Sequence, residues 1–216
     1  NVTLVVTSAT GCMDSVTIPV TVYPLPTAGF TVVSACEGDP VNFTDTSVAN
    51  GGIVVSWDWN FGDGSGTSAL QNPQYFYADT GTYNVTLIVF NSNGCSDTVA
   101  NPVNYFPRPT AEFMHDTSCA GQPITFTDAS AGNGSTIVSW SWDFGDGNTS
   151  ALQNPVHPYA TSGSFLVTLI VSSNSGCADT VQHMVVADSL PEPLFTAPAV
   201  CFNDTTHFTD LSIAHG

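Results

Sequence analysis

The chain has 216 residues, of which 18 are Asp or Glu and only one is Lys or Arg, so its formal net charge at pH 7 is −17. Binding of nucleic acid or anionic lipid requires clusters of Lys and Arg, so the composition excludes both classes of partner. No 18-residue apolar run occurs, so no membrane insertion is expected.

The sequence repeats with a period of about 83 residues. Trp57 recurs as Trp140 and Cys36 as Cys119, and both offsets are 83. Self-similarity at a fixed period indicates tandem structural units. We predict complete repeats at 27–109 and 110–193, the last two strands of a preceding repeat at 1–26, and the first strands of a following repeat at 194–216. Because the flanks together lack the Trp-rich strand, we expect a segment of a longer array.

Apolar residues alternate with polar ones along short runs such as Val41–Phe43, Val55–Phe61 and Tyr83–Val89. A period of two predicts half-buried antiparallel strands, and about seven strands in each repeat suit a two-sheet sandwich. The fold class is therefore all-β, with no helix. The shared parity of the aromatic residues predicts core packing rather than a sugar-binding platform. They are Trp57, Trp59 and Phe61 in the first repeat and Trp140, Trp142 and Phe144 in the second.

Proline pairs join the successive repeats at 24–26, 107–109 and 191–193. Proline fixes φ and favours extended backbone, so these joints are predicted to be short and semi-rigid. The repeats would then form a rod.

Each repeat carries the pattern W-x-W-x-F-G-D-G followed by Q-N-P, at 57–64 with 71–73 and at 140–147 with 153–155. This pattern resembles the PKD (polycystic kidney disease) domain, an immunoglobulin-like β-sandwich, over essentially the whole chain. Asn60 replaces the usual Asp of the first copy. The resemblance also implies a tyrosine corner at Asp79–Tyr83, whose second copy ends in Phe165 and lacks the hydroxyl.

The added N-S-N-G-C-S-D-T-V element at 91–99 is similar to PKD arrays of secreted surface proteins from gliding bacteria. The resemblance implies an extracellular or cell-surface location and export by the type nine secretion system. It also implies a non-enzymatic structural or adhesive protein, a segment of a long rod, fibre or filament. The alternative is a spacer or carbohydrate-binding accessory region of a large secreted hydrolase. Expected partners are neighbouring repeats, other copies of the chain and surface glycans.

Six cysteines at repeat-linked positions indicate an oxidising compartment. They are Cys12, Cys36, Cys95, Cys119, Cys177 and Cys201. Pairing within a repeat would join Cys36 to Cys95 and Cys119 to Cys177. In an immunoglobulin-like sandwich, however, these positions lie at opposite ends, and a head-to-tail rod would pair Cys36 with Cys177 instead. Both alternatives stay open at this point.

Asp63 and Asp146 lie in the two G-D-G motifs. We predict that they form hairpin turns, with Gly supplying positive φ and Asp an Asx hydrogen bond. Calcium binding by unpaired carboxylates is the alternative, at repeat interfaces rather than in a cage within a domain. No other cofactor or metal is expected.

The five His residues are scattered along the chain, and His157 lies at a packing position. No G-x-S-x-G or H-E-x-x-H motif occurs, so we predict no enzyme activity.

Asp followed by Ser or Thr and then an apolar residue or Thr recurs five times, which resembles the O-glycosylation acceptor of the same bacteria. The candidate acceptors are Ser15, Thr98, Thr180, Ser189 and Thr205. The competing interpretation is that Asp-Thr-Val opens the last strand with a turn residue, since the repeat itself explains three of the five.

Overall fold

The structure, a computed structural model, describes residues 1–214 and contains strands but no helix within that range. No part of the described chain could therefore span a membrane as a helix. The chain divides into two compact units, Asn1–Tyr105 and Phe106–Gly216.

The first unit opens with an exposed hairpin and continues with a complete sandwich. The hairpin strands are β1 (Val2–Thr7) and β2 (Met13–Ile18). The sandwich strands are β3 (Phe30–Val33), β4 (Ala35–Cys36), β5 (Val41–Asp45), β6 (Val54–Asn60), β7 (Thr67–Ser68), β8 (Gln74–Tyr75), β9 (Gly81–Asn91) and β10 (Ser96–Phe106). One sheet has the order β4-β10-β9-β6-β7, and the other has the order β3-β5-β8.

The second unit repeats this arrangement and ends in a short strand pair. Its sandwich strands are β11 (Phe113–His115), β12 (Ser118–Cys119), β13 (Pro123–Asp128), β14 (Ile137–Asp143), β15 (Thr149–Ser150), β16 (Val156–Pro158), β17 (Gly163–Ser173) and β18 (Ala178–Asp188). The sheets are β12-β18-β17-β14-β15 and β11-β13-β16. The final pair is β19 (Phe195–Thr196) and β20 (Thr209–Asp210). The predicted all-β sandwich is confirmed.

The first strand of each repeat is divided between the two sheets. Residues 30–33 pair antiparallel with β5, whereas β4 joins the opposite sheet beside β10. In the second repeat, Cys119 on β12 lies opposite Asp188 at the end of β18. This division gives eight strands to each repeat, one more than the roughly seven predicted.

A bulge in the Trp-bearing strand corrects one predicted core position. The register of β6 against β9 shifts between Val54 and Ser56. Val54 therefore packs against the core and Val55 is 50% exposed, although alternation places Val55 inside. A bulge adds one residue on one strand and so inverts the parity beyond it. The second repeat has the same shift between Ile137 and Ser139.

Hydrogen bonds attach each complete repeat to the proline segment that precedes it. The Asn50 amide donates to the Leu25 carbonyl at 3.0 Å and to Thr27 Oγ1 at 2.8 Å. Asn133 makes the same two contacts, to the Arg108 carbonyl and to Thr110 Oγ1, both at 2.9 Å. Both asparagines have φ of 53°, a conformation that Asn tolerates better than most residues. Each segment is thus fixed to the repeat that it introduces.

Candidate functional site

The tryptophans of the repeated motif lie in or beside the core with their indole N–H groups satisfied. Trp59 is fully buried and donates to the Leu70 carbonyl at 2.9 Å. The half-buried Trp57 donates to Asp45 Oδ2 at 2.7 Å. Trp142 and Trp140 repeat these contacts with Leu152 at 2.8 Å and Asp128 at 2.7 Å. Phe61 and Phe144 are also buried. The predicted core packing is confirmed.

The sequence motifs do not predict the hydrogen-bond network around the carboxylate that accepts from the half-buried Trp57. Asp45 accepts hydrogen bonds from Trp57 Nε1, from Gln71 Nε2 at 3.1 Å and from the Ser47 backbone N–H at 2.9 Å. Burial opposes ionisation of Asp45, but these bonds outweigh it and hold its pKa below the ordinary value. Asp128 has the same partners in the second repeat and a lowered pKa from the same causes. The recurrence of F-T-D at 43–45 and 126–128 was the available signal.

The Asp45 network predicts that the first repeat loses stability in acid. Its folded pKa is lower than its ordinary value of 3.8, so its contribution is complete above that value and is lost as pH falls through the folded pKa. Asp45→Asn should cost about 1–3 kcal/mol at neutral pH and flatten this dependence. Thermal unfolding between about pH 6 and pH 2 measures both effects. The exposed Asp58→Asn variant on β6 is the control and should retain the wild-type acid profile; an unchanged profile for Asp45→Asn would contradict the prediction.

The G-D-G motif forms the turn between β6 and β7. Asp63 Oδ1 accepts from the backbone N–H groups of Ser65 at 3.1 Å and Gly66 at 2.8 Å, and Oδ2 accepts from the Tyr75 hydroxyl. The hydrogen bond from Tyr75 is the main reason that the pKa of Asp63 is lowered. The flanking Gly62 and Gly64 have φ of 81° and 89°. The turn interpretation is confirmed.

The second turn uses a histidine where the first uses a tyrosine. Asp146 accepts from the Asn148 backbone N–H at 3.0 Å and lies 2.8 Å from His157 Nε2. The buried His157 ring stacks on Phe144 with centroids 4.3 Å apart, which confirms its packing role. Burial of Asp146 opposes ionisation, but the bonds from Asn148 and His157 leave its pKa lowered. Asp63 and Asp146 thus both accept hydrogen bonds from the backbone of their own turns. Residues 1–214 contain no cluster of three His, Cys, Asp or Glu that could hold a metal ion.

The tyrosine corner is present in the first repeat. The Tyr83 hydroxyl donates to the Asp79 carbonyl at 2.6 Å, and its ring stacks on Tyr77 with centroids 3.9 Å apart. In the second repeat Phe165 keeps the stacking on Tyr159 at 3.9 Å but has no hydroxyl to donate.

Exchanging the residues of the tyrosine corner should shift stability in opposite directions. Tyr83→Phe should destabilise the first repeat by about 0.5–1.5 kcal/mol, the net contribution of one hydrogen bond. Phe165→Tyr should stabilise the second repeat by a similar amount, because Thr161 precedes Phe165 by four residues, as Asp79 precedes Tyr83, and its carbonyl is the expected acceptor. Denaturant unfolding of the chain and of both variants measures the changes. Equal signs for the two variants would contradict the assignment.

The sequence profile of the PKD domain matches this chain twice, at residues 23–104 and 107–187. The chain belongs to the PKD domain family. Its sandwiches are accordingly immunoglobulin-like β-sandwiches, and the predicted tandem PKD repeats are confirmed.

This chain is similar to small parts of much longer proteins. The chain is 29% identical to the pre-pro-metalloprotease PrtV of Vibrio cholerae over 154 residues, which is 69% of this chain and 16% of PrtV. It is 41% identical to a microbial collagenase of Vibrio alginolyticus over 71 residues, covering 32% of this chain and 9% of that protein. The crystal structure of the PKD1 domain from PrtV is 34% identical, with a TM-score of 0.36, and covers 38% of this chain and 99% of that domain.

The six cysteines of the chain differ in oxidation state. Cys36 and Cys177 are disulfide-bonded. Cys12, Cys95, Cys119 and Cys201 are free thiols. The alternative in which Cys36 bonds to Cys95 and Cys119 bonds to Cys177 is therefore wrong. The divided first strand explains why. It places Cys119 opposite Asp188, at the end of β18 remote from Cys177, and brings Gly38, two residues after Cys36, to Tyr105 near the end of β10 remote from Cys95.

The candidate O-glycosylation acceptors have mostly accessible positions. Ser15, Thr98, Thr180 and Thr205 are exposed, and Ser189 is partly exposed after β18. The aspartates that precede Thr98 and Thr180 have a structural role of their own. Asp97 accepts from the Ala28 backbone N–H, and Asp179 from that of Ala111, both at 2.8 Å. The Asp-Thr-Val pattern therefore has a packing explanation, and glycosylation stays a prediction.

Proposed function

We propose that this chain is a non-enzymatic structural and adhesive segment of an extracellular protein, a stretch of a long rod, fibre or filament built from PKD repeats at the bacterial surface. The observation that carries the proposal is the attachment of each proline segment to its own repeat by Asn50 or Asn133. A joint whose carbonyls are hydrogen-bonded to a folded sandwich has fewer accessible conformations than a free linker. A chain of such units is suited to holding its ends apart.

The chemistry of the described residues supports a structural role. The turn aspartates accept hydrogen bonds from their own turns, and the tryptophans are committed to the core. The net charge of −17 favours solubility and discourages collapse of like-charged repeats onto one another. Neighbouring repeats, other copies of the chain and surface glycans are the proposed partners, and calcium is proposed only as a loosely held ion at interfaces.

Electron microscopy of the native parent protein tests this proposal. We expect extended particles of uniform width whose length increases with the number of PKD repeats. Compact particles, or repeats scattered at random angles around flexible joints, would contradict it.

Two further experiments test the proposed ion and the proposed glycans. Isothermal titration with calcium tests the loosely held ion, and intact-mass measurement tests the O-glycans.

A spacer or carbohydrate-binding accessory region of a secreted hydrolase is the second candidate. The similarity to PrtV and to the collagenase of Vibrio alginolyticus favours it, because both are proteases that contain regions like this chain. A catalytic domain in the full gene product would support this candidate. Dozens of further PKD repeats without one would support the first.

A further inference from the structure

The six cysteines occupy two structural positions. Start cysteines lie at the second part of the divided first strand, and hairpin cysteines lie in the turn between the last two strands. The start cysteines are Cys36, Cys119 and, by the repeat offset, Cys201. The hairpin cysteines are Cys12, Cys95 and Cys177, and the carbonyl of each accepts a backbone hydrogen bond that closes its turn, at 2.8, 2.9 and 2.8 Å respectively.

A start cysteine is too far from the hairpin cysteine of its own repeat to bond with it. Cys119 lies opposite Asp188, the last residue of β18, whereas Cys177 immediately precedes Ala178, its first residue. The 11 residues of β18 separate the two cysteines by about 30 Å, and a disulfide tolerates about 7 Å between Cα atoms. The first repeat has the same arrangement around β10, where the Gly38 N–H, two residues after Cys36, donates to the Tyr105 hydroxyl at 2.8 Å. Each type must find its partner in another repeat.

The oxidised cysteines comprise one of each type. Cys36 is a start cysteine and Cys177 is a hairpin cysteine, and both are disulfide-bonded. Their counterparts in the sister repeats, Cys119 and Cys95, are only partly buried and are free. Each complete repeat therefore has one disulfide-bonded cysteine and one free thiol, and each of the two structural positions is oxidised in one repeat and reduced in the other.

We propose that start and hairpin cysteines of different PKD repeats are complementary cross-linking sites, and that the four free thiols form disulfides with a second copy of the chain. Cys119 and Cys201 would bond to Cys95 or Cys12 of the other copy, and like types would not bond to each other. The proposal rests on the proposed assembly function and specifies its covalent chemistry.

The bond forms by two thiol–disulfide exchanges with a small-molecule disulfide such as oxidised glutathione. One thiol loses its proton and attacks the small disulfide, which forms a mixed disulfide and releases one reduced thiol. The thiolate of the second copy then attacks the protein sulfur of the mixed disulfide and releases the other. Two protein thiols are oxidised, one small disulfide is reduced to two thiols, and the protons pass to the solvent and the departing thiolates.

Two variants with complementary thiols test the pairing rule. The hairpin-only variant carries Cys119→Ser and Cys201→Ser, and the start-only variant carries Cys12→Ser and Cys95→Ser. Both retain Cys36 and Cys177, and circular dichroism checks that both fold. Each variant and their mixture are incubated with oxidised glutathione and separated on non-reducing gels. We expect multimers from the unmodified chain and from the mixture, loss of multimers from each variant alone, and reversal by dithiothreitol.

Peptide mapping of the multimers identifies the linked residues. Links between Cys12 or Cys95 and Cys119 or Cys201 support the proposal. Links between two hairpin or two start cysteines, multimers from one variant alone, or no multimers from the unmodified chain would overturn it. Filaments seen by microscopy without such links would reject the cross-linking and leave the proposed function intact, whereas compact native particles would reject that function irrespective of the linkage.

Discussion

Trp59→Ala is expected to lower the free energy of unfolding of the first repeat by about 3–5 kcal/mol, the range for truncating a buried Trp. The indole ring is fully buried and packs near Phe30 and Phe43, with centroids 5.2 and 5.4 Å away, so its removal leaves a cavity between the sheets. The Leu70 carbonyl also loses the hydrogen bond from Nε1. Guanidinium unfolding followed by far-ultraviolet circular dichroism measures the loss.

Two further variants define what the loss at Trp59 means. Val55→Ala changes a residue of the same strand that is 50% exposed, and it should cost within about 0.5 kcal/mol. Trp142→Ala should reproduce the large loss in the second repeat, since Trp142 has the same burial and the same type of acceptor, Leu152. If each Trp→Ala variant lowered the free energy of unfolding by less than about 1 kcal/mol, the aromatic residues of the W-x-W-x-F motif would not form the core.

Local alternation was sufficient to predict the inner aromatic residues. Trp59 and Phe61 lie on the C-terminal side of the bulge, where the period of two is unbroken. Alternation places Val55 on the wrong face, because an extra residue at a bulge inverts the parity of the residues before it. Nothing in the spacing of apolar residues marks the position of the bulge.

The interactions that were missed depend on contacts distant in sequence. Asp45 is satisfied by Trp57 and by Gln71, which is 26 residues away, so its role appears only when β5 and the Q-N-P segment are adjacent. Cysteine pairing depends in the same way on which end of β10 lies beside β4, and on which end of β18 lies beside β12. The topology of an immunoglobulin-like sandwich left disulfide pairing within a repeat and between repeats as the two alternatives. Only the division of the first strand between the sheets decides against pairing within a repeat.

Gly62→Ala is expected to destabilise the first repeat by about 2–5 kcal/mol, from backbone strain and from overpacking together. Gly62 has φ of 81°, which disfavours any residue with a Cβ. A Cβ at this position would also lie 2.6 Å from the Asn84 carbonyl oxygen, a backbone atom of β9 that cannot rotate away. The turn and the central strand of the larger sheet would have to separate. Denaturant unfolding measures the cost.

Gly64→Ala separates the two contributions at the same turn. Gly64 has a similar φ of 89°, but a Cβ there would have no heavy atom within 4 Å. Its substitution should therefore cost only the strain, about 1–2 kcal/mol. The difference between the two variants then measures the close approach of the G-D-G turn to β9. Because Gly145 faces the Leu166 carbonyl at the same 2.6 Å, Gly145→Ala should match Gly62→Ala. Equal costs at Gly62 and Gly64 would mean that backbone conformation alone, and not contact with β9, requires glycine in the first position of this motif.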